Sequence, residues 1–549
     1  MLTTLLLSLS LALPSAVEST PHRRQSDGAV SESIDYRRGY HSSTILSNIV
    51  YIDGGQFSYS SDESITYDYS TTLLSIDLAN DWTNDTLTVE SVNKPPGVPD
   101  LVRGGLWADS TNNLLYNGFA GDISSQIGDE EAQAYGLWSY EPLNEAWTNL
   151  NASASATFQT EPRPFSGSVA TGNGTGYYLG GYIYDSNGNK TAISGLLAYD
   201  FSSNTLTNKT VSGTMSGGMV QKGRMIYVPN FGTNGVLISL GGYNEATAEL
   251  YSMSHAEIYD PDGDVWYQQA TTGDAPEPRI EFCIAGAAST NRTFDIFVYA
   301  GWDNADASSA YDEVFILSLP SFQWFKADYE SEHPRHGLTC EHVGGGQILT
   351  IGGVDSSAIS SSSSYEAAFS TPDQFKQGLA IFDMSTLSFK SSYTSGLYQY
   401  AMSDTVQNYY DTNDRDADFS TTSLKNLFAV EHFNTTTANA TTTNASTTPS
   451  KSNTGVIIGG VVGGVALVAL VAGLAFFLFR RRRRRAQAAK VASKEADSYL
   501  MRDYDKAVGI NRVHQELPPS VHDRPAASEA HGIPLNEAPS GNIRPTELP

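Results

Sequence analysis

Five aromatic side chains stand at or just behind small-residue doublets, and they are the residues best suited to binding chemistry. Phe57, Tyr182, Tyr243 and Trp302 follow Gly54-Gly55, Gly180-Gly181, Gly241-Gly242 and Ala300-Gly301, and Phe119 sits beside Ala120-Gly121. Equivalent places in a repeated unit fall on one face. Flat rings there, among hydroxyl and amide side chains, suit sugar or peptide recognition. Burial between neighbouring units is the competing role for the same rings. Long connections start at these points: residues 56–71, rich in Tyr, Ser and Asp, then 182–192, and 354–376 with Ser360 to Ser364.

Other chemistry is thinner. His333, His336 and His342 cluster in sequence, but no matching set of soft or imidazole ligands accompanies them. Asp411, Asn413, Asp414, Asp416 and Asp418 suggest a calcium loop, yet the turn glycine and terminal glutamate of such a loop are missing. A solvated acidic linker is the plainer reading. Cys283 and Cys340 are few for a secreted chain, so stability must come from a large core. A bridge between them needs their Cα atoms within about 7 Å and is left open. The sequence therefore predicts no catalytic residue, no metal and no cofactor.

The elements that must position these residues repeat. Doublets recur about every sixty residues, including Gly352-Gly353, which marks stacked or radial copies of one β unit. Behind five of them stands a bulky pair spaced by seven: Tyr140/Trp147, Tyr199/Leu206, Tyr259/Trp266, Leu317/Trp324 and Phe382/Phe389. Each unit reads as four short strands. In the fourth, 236–242 is an apolar strand ending in glycines, 255–260 alternates toward Tyr259, 261–264 is a turn signal, and 265–267 opens an outer strand. Pro-x-Arg or Pro-Arg segments, such as Pro276 to Arg279 and Pro334-Arg335, lead into the next unit.

These units resemble kelch repeats, with Arg38, Gly39, His41 and the Arg335-His336-Gly337 order shifted or scrambled. The likeness covers roughly residues 34–395 in six copies and is poorest in the first two. It implies an all-β fold: a six-bladed kelch-type β-propeller, its blades of four antiparallel strands around a channel, with radial closure protecting the sheet edges. The Tyr and Trp pairs would wedge between blades. Galactose oxidase shares such blades, but its radical copper site needs two Tyr, two His and a Cys–Tyr thioether, and no such set can be matched here.

The ends set the expected topology. Residues 1–19 read as a signal peptide, with a short apolar core before Pro14-Ser15-Ala16. Val456 to Phe479 is uncharged over 24 residues and would span a bilayer as a helix, with Arg480 to Arg485 as its cytoplasmic stop. Glycines 455, 459, 460, 463 and 464 form small-xxx-small patterns that allow a dimer. The propeller is expected over 34–410, a Thr/Asn/Ser-rich stalk over 411–455, and a disordered cytoplasmic tail over 480–549. Leu397 to Tyr410 is β-prone and is expected to complete or cover the last blade.

Asn84, Asn151, Asn173, Asn189, Asn208, Asn291, Asn434, Asn439 and Asn444 begin glycosylation sequons, all before the span. Residues 1–455 carry 51 acidic against 20 basic residues, which disfavours nucleic acid and anionic lipid as partners. The expectation is a single-pass cell-surface glycoprotein, N-terminus outside, that recognises or adheres to a glycan, wall polymer or protein. An extracellular oxidase and a scaffold for other membrane proteins are the alternatives.

Overall fold

The computed structural model describes residues 37–61, 64–123, 136–150, 163–184, 190–303, 311–329, 334–359 and 365–433. The signal-peptide segment, residues 434–455 of the expected stalk, the apolar run 456–479 and the tail lie outside them. Among the described residues no helix is long and apolar enough to cross a membrane.

The described chain is mostly β. Six sheets follow one another, each built on four antiparallel strands in chain order, and the fifth gains Thr272–Gly273 as a short parallel strand beside Gln323–Lys326. They occupy residues 42–93, 107–149, 168–209, 224–270, 283–326 and 339–390. The fourth sheet shows why these residues form strands. Val236–Leu240, apolar but for Ser239, is buried throughout, because it is paired on both edges and covered on both faces. His255–Asp260 pairs beside it, and the turn after Asp260 is closed by Asp264 at φ 51°. Val265–Ala270 then returns along the outer edge.

The spacing of seven has a direct cause. In all five sheets that carry it, the two bulky residues lie opposite each other on the third and fourth strands. Each pair then faces the preceding sheet. Tyr140 and Trp147 meet Tyr51 and Leu73 of the first sheet. Tyr259 and Trp266 meet Tyr177 and Leu179 of the third, and Trp324 meets Ile238 and Ile258 of the fourth. The first sheet, which lacks the pair, uses Leu74 and Ile76 against Leu349, Ile351 and Ile381 of the sixth. Six apolar interfaces thus form a closed cycle, an arrangement consistent with a β-propeller.

Backbone hydrogen bonds repeat the cycle. Just before each first strand, one residue adopts the left-handed conformation: Tyr40, Arg103, Ser166, Lys222, Glu281 and Gly337, with φ from 53° to 67°. Each donates its N–H to the carbonyl of the preceding one, at 2.6 to 3.0 Å, and Tyr40 donates to Gly337, so the ring closes. A second ring lies beside it. Gly55, Gly121, Gly181, Gly242, Gly301 and Gly353 donate to Leu101, Pro164, Val220, Arg279, Arg335 and Arg38 of the following unit, at 2.7 to 3.0 Å.

Glycine is required at the doublet because the next unit comes so close. A Cβ on Gly54 would sit 2.0 Å from the Leu101 carbonyl oxygen, and one on Gly352 would sit 2.4 Å from that of Arg38. The arginines of the lead-in segments have an equally specific task. Arg38, Arg279 and Arg335, nearly inaccessible, donate to the carbonyls of Gly54, Ala300 and Gly352 in their own doublets.

Two further ties act between sheets. Cys283 and Cys340 form a disulfide, with Cα atoms 5.4 Å apart, joining the first strands of the fifth and sixth sheets. Ser392–Tyr393, after the sixth sheet, pairs with Trp82–Thr83 in the connection between the third and fourth strands of the first. The expectation for 397–410 is corrected: Asp404–Tyr410 is a helix, capped by the Ser403 side chain, which accepts from the Val406 N–H. The expected end of the folded body at residue 410 is also too early. Thr422–Phe428 is a second helix whose Leu424 and Phe428 fill the core between the fourth and fifth sheets, and the chain stays folded to residue 433. The Asp/Asn run 411–418 is part of this packed extension, where Ala417 donates to the Pro320 carbonyl.

The left-handed ring predicts opposite effects at two of its members. Ser166→Gly should raise stability by up to about 1 kcal/mol, because it removes the left-handed penalty and a buried hydroxyl that has no partner among the described residues. Gly337→Val should lower it by about 2 kcal/mol or more, since even a Cβ there lies 2.6 Å from the Tyr40 ring. Denaturant midpoints of the two variants check both signs.

Candidate functional site

The first strands and the left-handed residues line a cavity of about 380 Å³ on the axis of the six sheets. Its mouth carries the side chains of the left-handed ring. They differ in every unit, yet four of them form one polar cluster.

Glu281 is at its centre. Arg103 Nε donates to Glu281 Oε1 at 3.2 Å, and Lys222 Nζ lies 3.9 Å from the same oxygen. Trp302 Nε1 donates to Glu281 Oε2 at 3.2 Å. The Arg103 guanidinium rests 3.9 Å from the Tyr40 ring centre, and the Tyr40 hydroxyl is 2.8 Å from His336 Nε2. His336 is in turn stacked on Trp302 and bonded through Nδ1 to Ser356. Burial alone would raise the Glu281 carboxyl, but Lys222 and Arg103 together hold it down to about 2. Burial lowers His336 to about 4 despite the nearby Glu281, so its imidazole is neutral near pH 7. The cluster is therefore an anion held between two cations, with a neutral imidazole and an indole beside it.

The five ring candidates separate. Phe57 is buried, beneath Arg38 and against Tyr59. Phe119 is buried away from the mouth, 3.5 Å from Trp107 and between the second and third sheets. Tyr182 is buried against Phe165. Each of these three takes the packing role. Tyr243 and Trp302 keep partly accessible surface, and both pair with lead-in segments flanking the mouth. Trp302 alone of the five joins the polar cluster. The signal that could have found Tyr40, Arg103, Lys222 and Glu281 is positional: each lies two residues before its first strand or within a few residues of it.

The interior is divided. Ser42, Ser43, Thr44, Thr339, Glu341 and His342 make one side polar, while Val169, Ala170, Ile226, Ile284 and Ala285 make much of the rest apolar. Glu341 accepts from Ser43 at 2.6 Å, and burial pushes its carboxyl up to about 7. His41 bonds Thr339 through Nε2, and burial lowers it to about 3. Among the described residues no group of three or more His, Cys, Asp or Glu could hold a metal ion.

Of the sequon asparagines, Asn173, Asn208 and Asn291 are exposed. Asn84 is half-buried, with its amide donating to the Leu379 carbonyl. Asn151, Asn189, Asn434, Asn439 and Asn444 lie outside the described residues.

The sequence that forms these six units has a counterpart among known proteins. The chain is 24% identical over 403 residues to a kelch repeat-containing protein of Arthroderma benhamiae. The match supports a kelch-repeat family. It covers 65% of this chain, which spans 57% of the length of that curated relative. No protein-family model matches the chain.

The raised Glu341 carboxyl gives a pH test. A carboxyl shifted upward on folding favours the folded state fully below its unfolded value near 4.5, and loses that contribution as pH rises to about 7. The histidines at 41, 336 and 342 act in the opposite sense, so the variant isolates the effect. Glu341→Gln should gain stability relative to the parent by at most about 3 kcal/mol between pH 4.5 and 7.5. Urea titrations at several pH values read the difference.

Proposed function

We propose that this protein is a binding scaffold: a six-bladed kelch-type propeller that presents the mouth of its central channel to a hydroxyl-rich ligand. The observation that carries the reading is the mouth cluster. Four different side chains, Tyr40, Arg103, Lys222 and Glu281, are brought together by a backbone ring that otherwise repeats uniformly, and Trp302 joins them through Glu281. A rigid scaffold with a variable polar rim is how propellers and other repeat folds build recognition surfaces. A carboxylate, a guanidinium and a partly accessible indole suit the hydroxyls and apolar faces of sugars, so a glycan or wall polymer is the first ligand class.

The setting belongs to the same proposal. The apolar run 456–479 followed by six arginines supports a single-pass anchor with the propeller outside, and the sequons before it agree. A disulfide between the fifth and sixth sheets suits an oxidising compartment. The radical copper chemistry of an oxidase plays no part in this reading, which assigns binding rather than catalysis.

The test is a polysaccharide panel presented to the full chain. Tyr243→Ala combined with Trp302→Ala should weaken capture of the best glycan by at least about tenfold, that is about 1.4 kcal/mol, with the denaturant midpoint little changed. Undiminished capture by the folded double variant would remove the mouth from the account. Bound copper with peroxide release from the same preparation would favour the oxidase instead.

A further inference from the structure

Deeper in the channel, below the mouth, one charged side chain stands out. Arg224 opens the first strand of the fourth sheet and lines the cavity. Its guanidinium donates to the carbonyls of Gly223 at 3.1 Å and Leu338 at 3.3 Å, and it makes no ion pair among the described residues. The contrast with the other arginines of the inner region is plain. Arg103 has Glu281, Arg279 has Glu313, and Arg335 has Asp373. Arg224 is half-buried, with Glu281 as the carboxylate that acts on it from a distance, and a guanidinium's five donors leave room for a second anion facing the cavity.

The wall around it offers further polar atoms. His41 is buried, and among the described residues its Nδ1 has no partner. His342 Nε2 is buried and also without one among the described residues. The hydroxyls of Ser42, Ser43, Thr44 and Thr339 and the carboxyl of Glu341 line the same space. Glu341 is not an ion-pair partner of Arg224; its hydrogen bond is with Ser43. The cavity of about 380 Å³ lies within the range of small-molecule sites, and its remaining wall is apolar.

We propose that the channel interior is a binding site for a small hydroxylated carboxylate, with its carboxylate on Arg224 and its hydroxyl among Ser43, Thr339 and Glu341. The pairing is charge-assisted and two-pronged, as guanidinium and carboxylate geometry favours. The apolar side formed by Ile226, Ile284 and Ala285 would cover the carbon chain. This site shares the cavity with the mouth cluster but uses different side chains, and it stands whether or not the mouth binds a glycan.

Saturation-transfer NMR on the full chain, with glycolate, acetate and ethylene glycol as probes, tests the inference. Glycolate should bind at least about tenfold more tightly than ethylene glycol, with acetate between them. Arg224→Gln should abolish the preference for the anions, Arg224→Lys should keep part of it, and Ser43→Ala should reduce glycolate toward acetate. Trp302→Ala, at the mouth, should leave all three unchanged, which separates this site from the glycan reading. Melting curves verify that each variant folds. Equal binding of glycolate and ethylene glycol, no saturation by any probe, or an unaltered preference in Arg224→Gln or, if that variant does not fold, in Ser43→Ala, would overturn the proposal.

Discussion

The structure depends on a backbone constraint: six residues in the left-handed conformation, each donating its N–H to the one before, the first to the last. Only one of the six, Gly337, is of the type that takes this conformation freely. The others, Tyr40, Arg103, Ser166, Lys222 and Glu281, each carry a penalty of about 1–2 kcal/mol. A hydrogen bond of ordinary net worth, near 1 kcal/mol, does not by itself offset that. What holds the conformation is the second ring of bonds from the doublet glycines, together with apolar interfaces behind it, so that neither ring can relax without separating two sheets. The strain sits where the polar side chains gather, a common association of backbone strain with binding sites.

Closure follows from the same arrangement without any strand being shared between the first and last units. Every four-stranded sheet comes from one continuous stretch of chain. The join between the sixth and first sheets uses the same three devices as every other join: Tyr40 to Gly337, Gly353 to Arg38, and an apolar interface. The pairing of Ser392–Tyr393 with Trp82–Thr83 adds a short strap at the outer edge. The C-terminal extension lies on the fourth and fifth sheets instead, where Phe428 meets Phe231 and Phe322. Its burial explains why the body continues past residue 410.

Much of the fold could be read from the chain because its signals are periodic and local. The doublets, the opposed bulky pairs and the lead-in arginines each report a contact made identically in several sheets. The left-handed residues repeat in position ahead of each first strand but not in type, since Tyr, Arg, Ser, Lys, Glu and Gly share a backbone conformation and no side-chain property. For the same reason Phe57, Phe119 and Tyr182 looked like a binding face: their positions repeat, but whether a ring faces solvent or the next sheet is decided by neighbours such as Trp107 and Phe165. In 397–410 the many Tyr residues favoured strand, while Ser403 ahead of Asp404, a helix-start signal, was the better guide. Arg224 looks ordinary in sequence, and only the cavity makes it conspicuous.

The most direct test of the closed ring is amide hydrogen exchange, resolved at single residues. Tyr40, Arg103, Ser166, Lys222, Glu281 and Gly337 should be protected to a similar degree and should exchange only with global unfolding, together with the Gly353 amide that bonds Arg38. Fast exchange confined to Tyr40 and Gly353, with the other ring amides still protected, would mean that the sixth and first sheets do not meet and that the array is open.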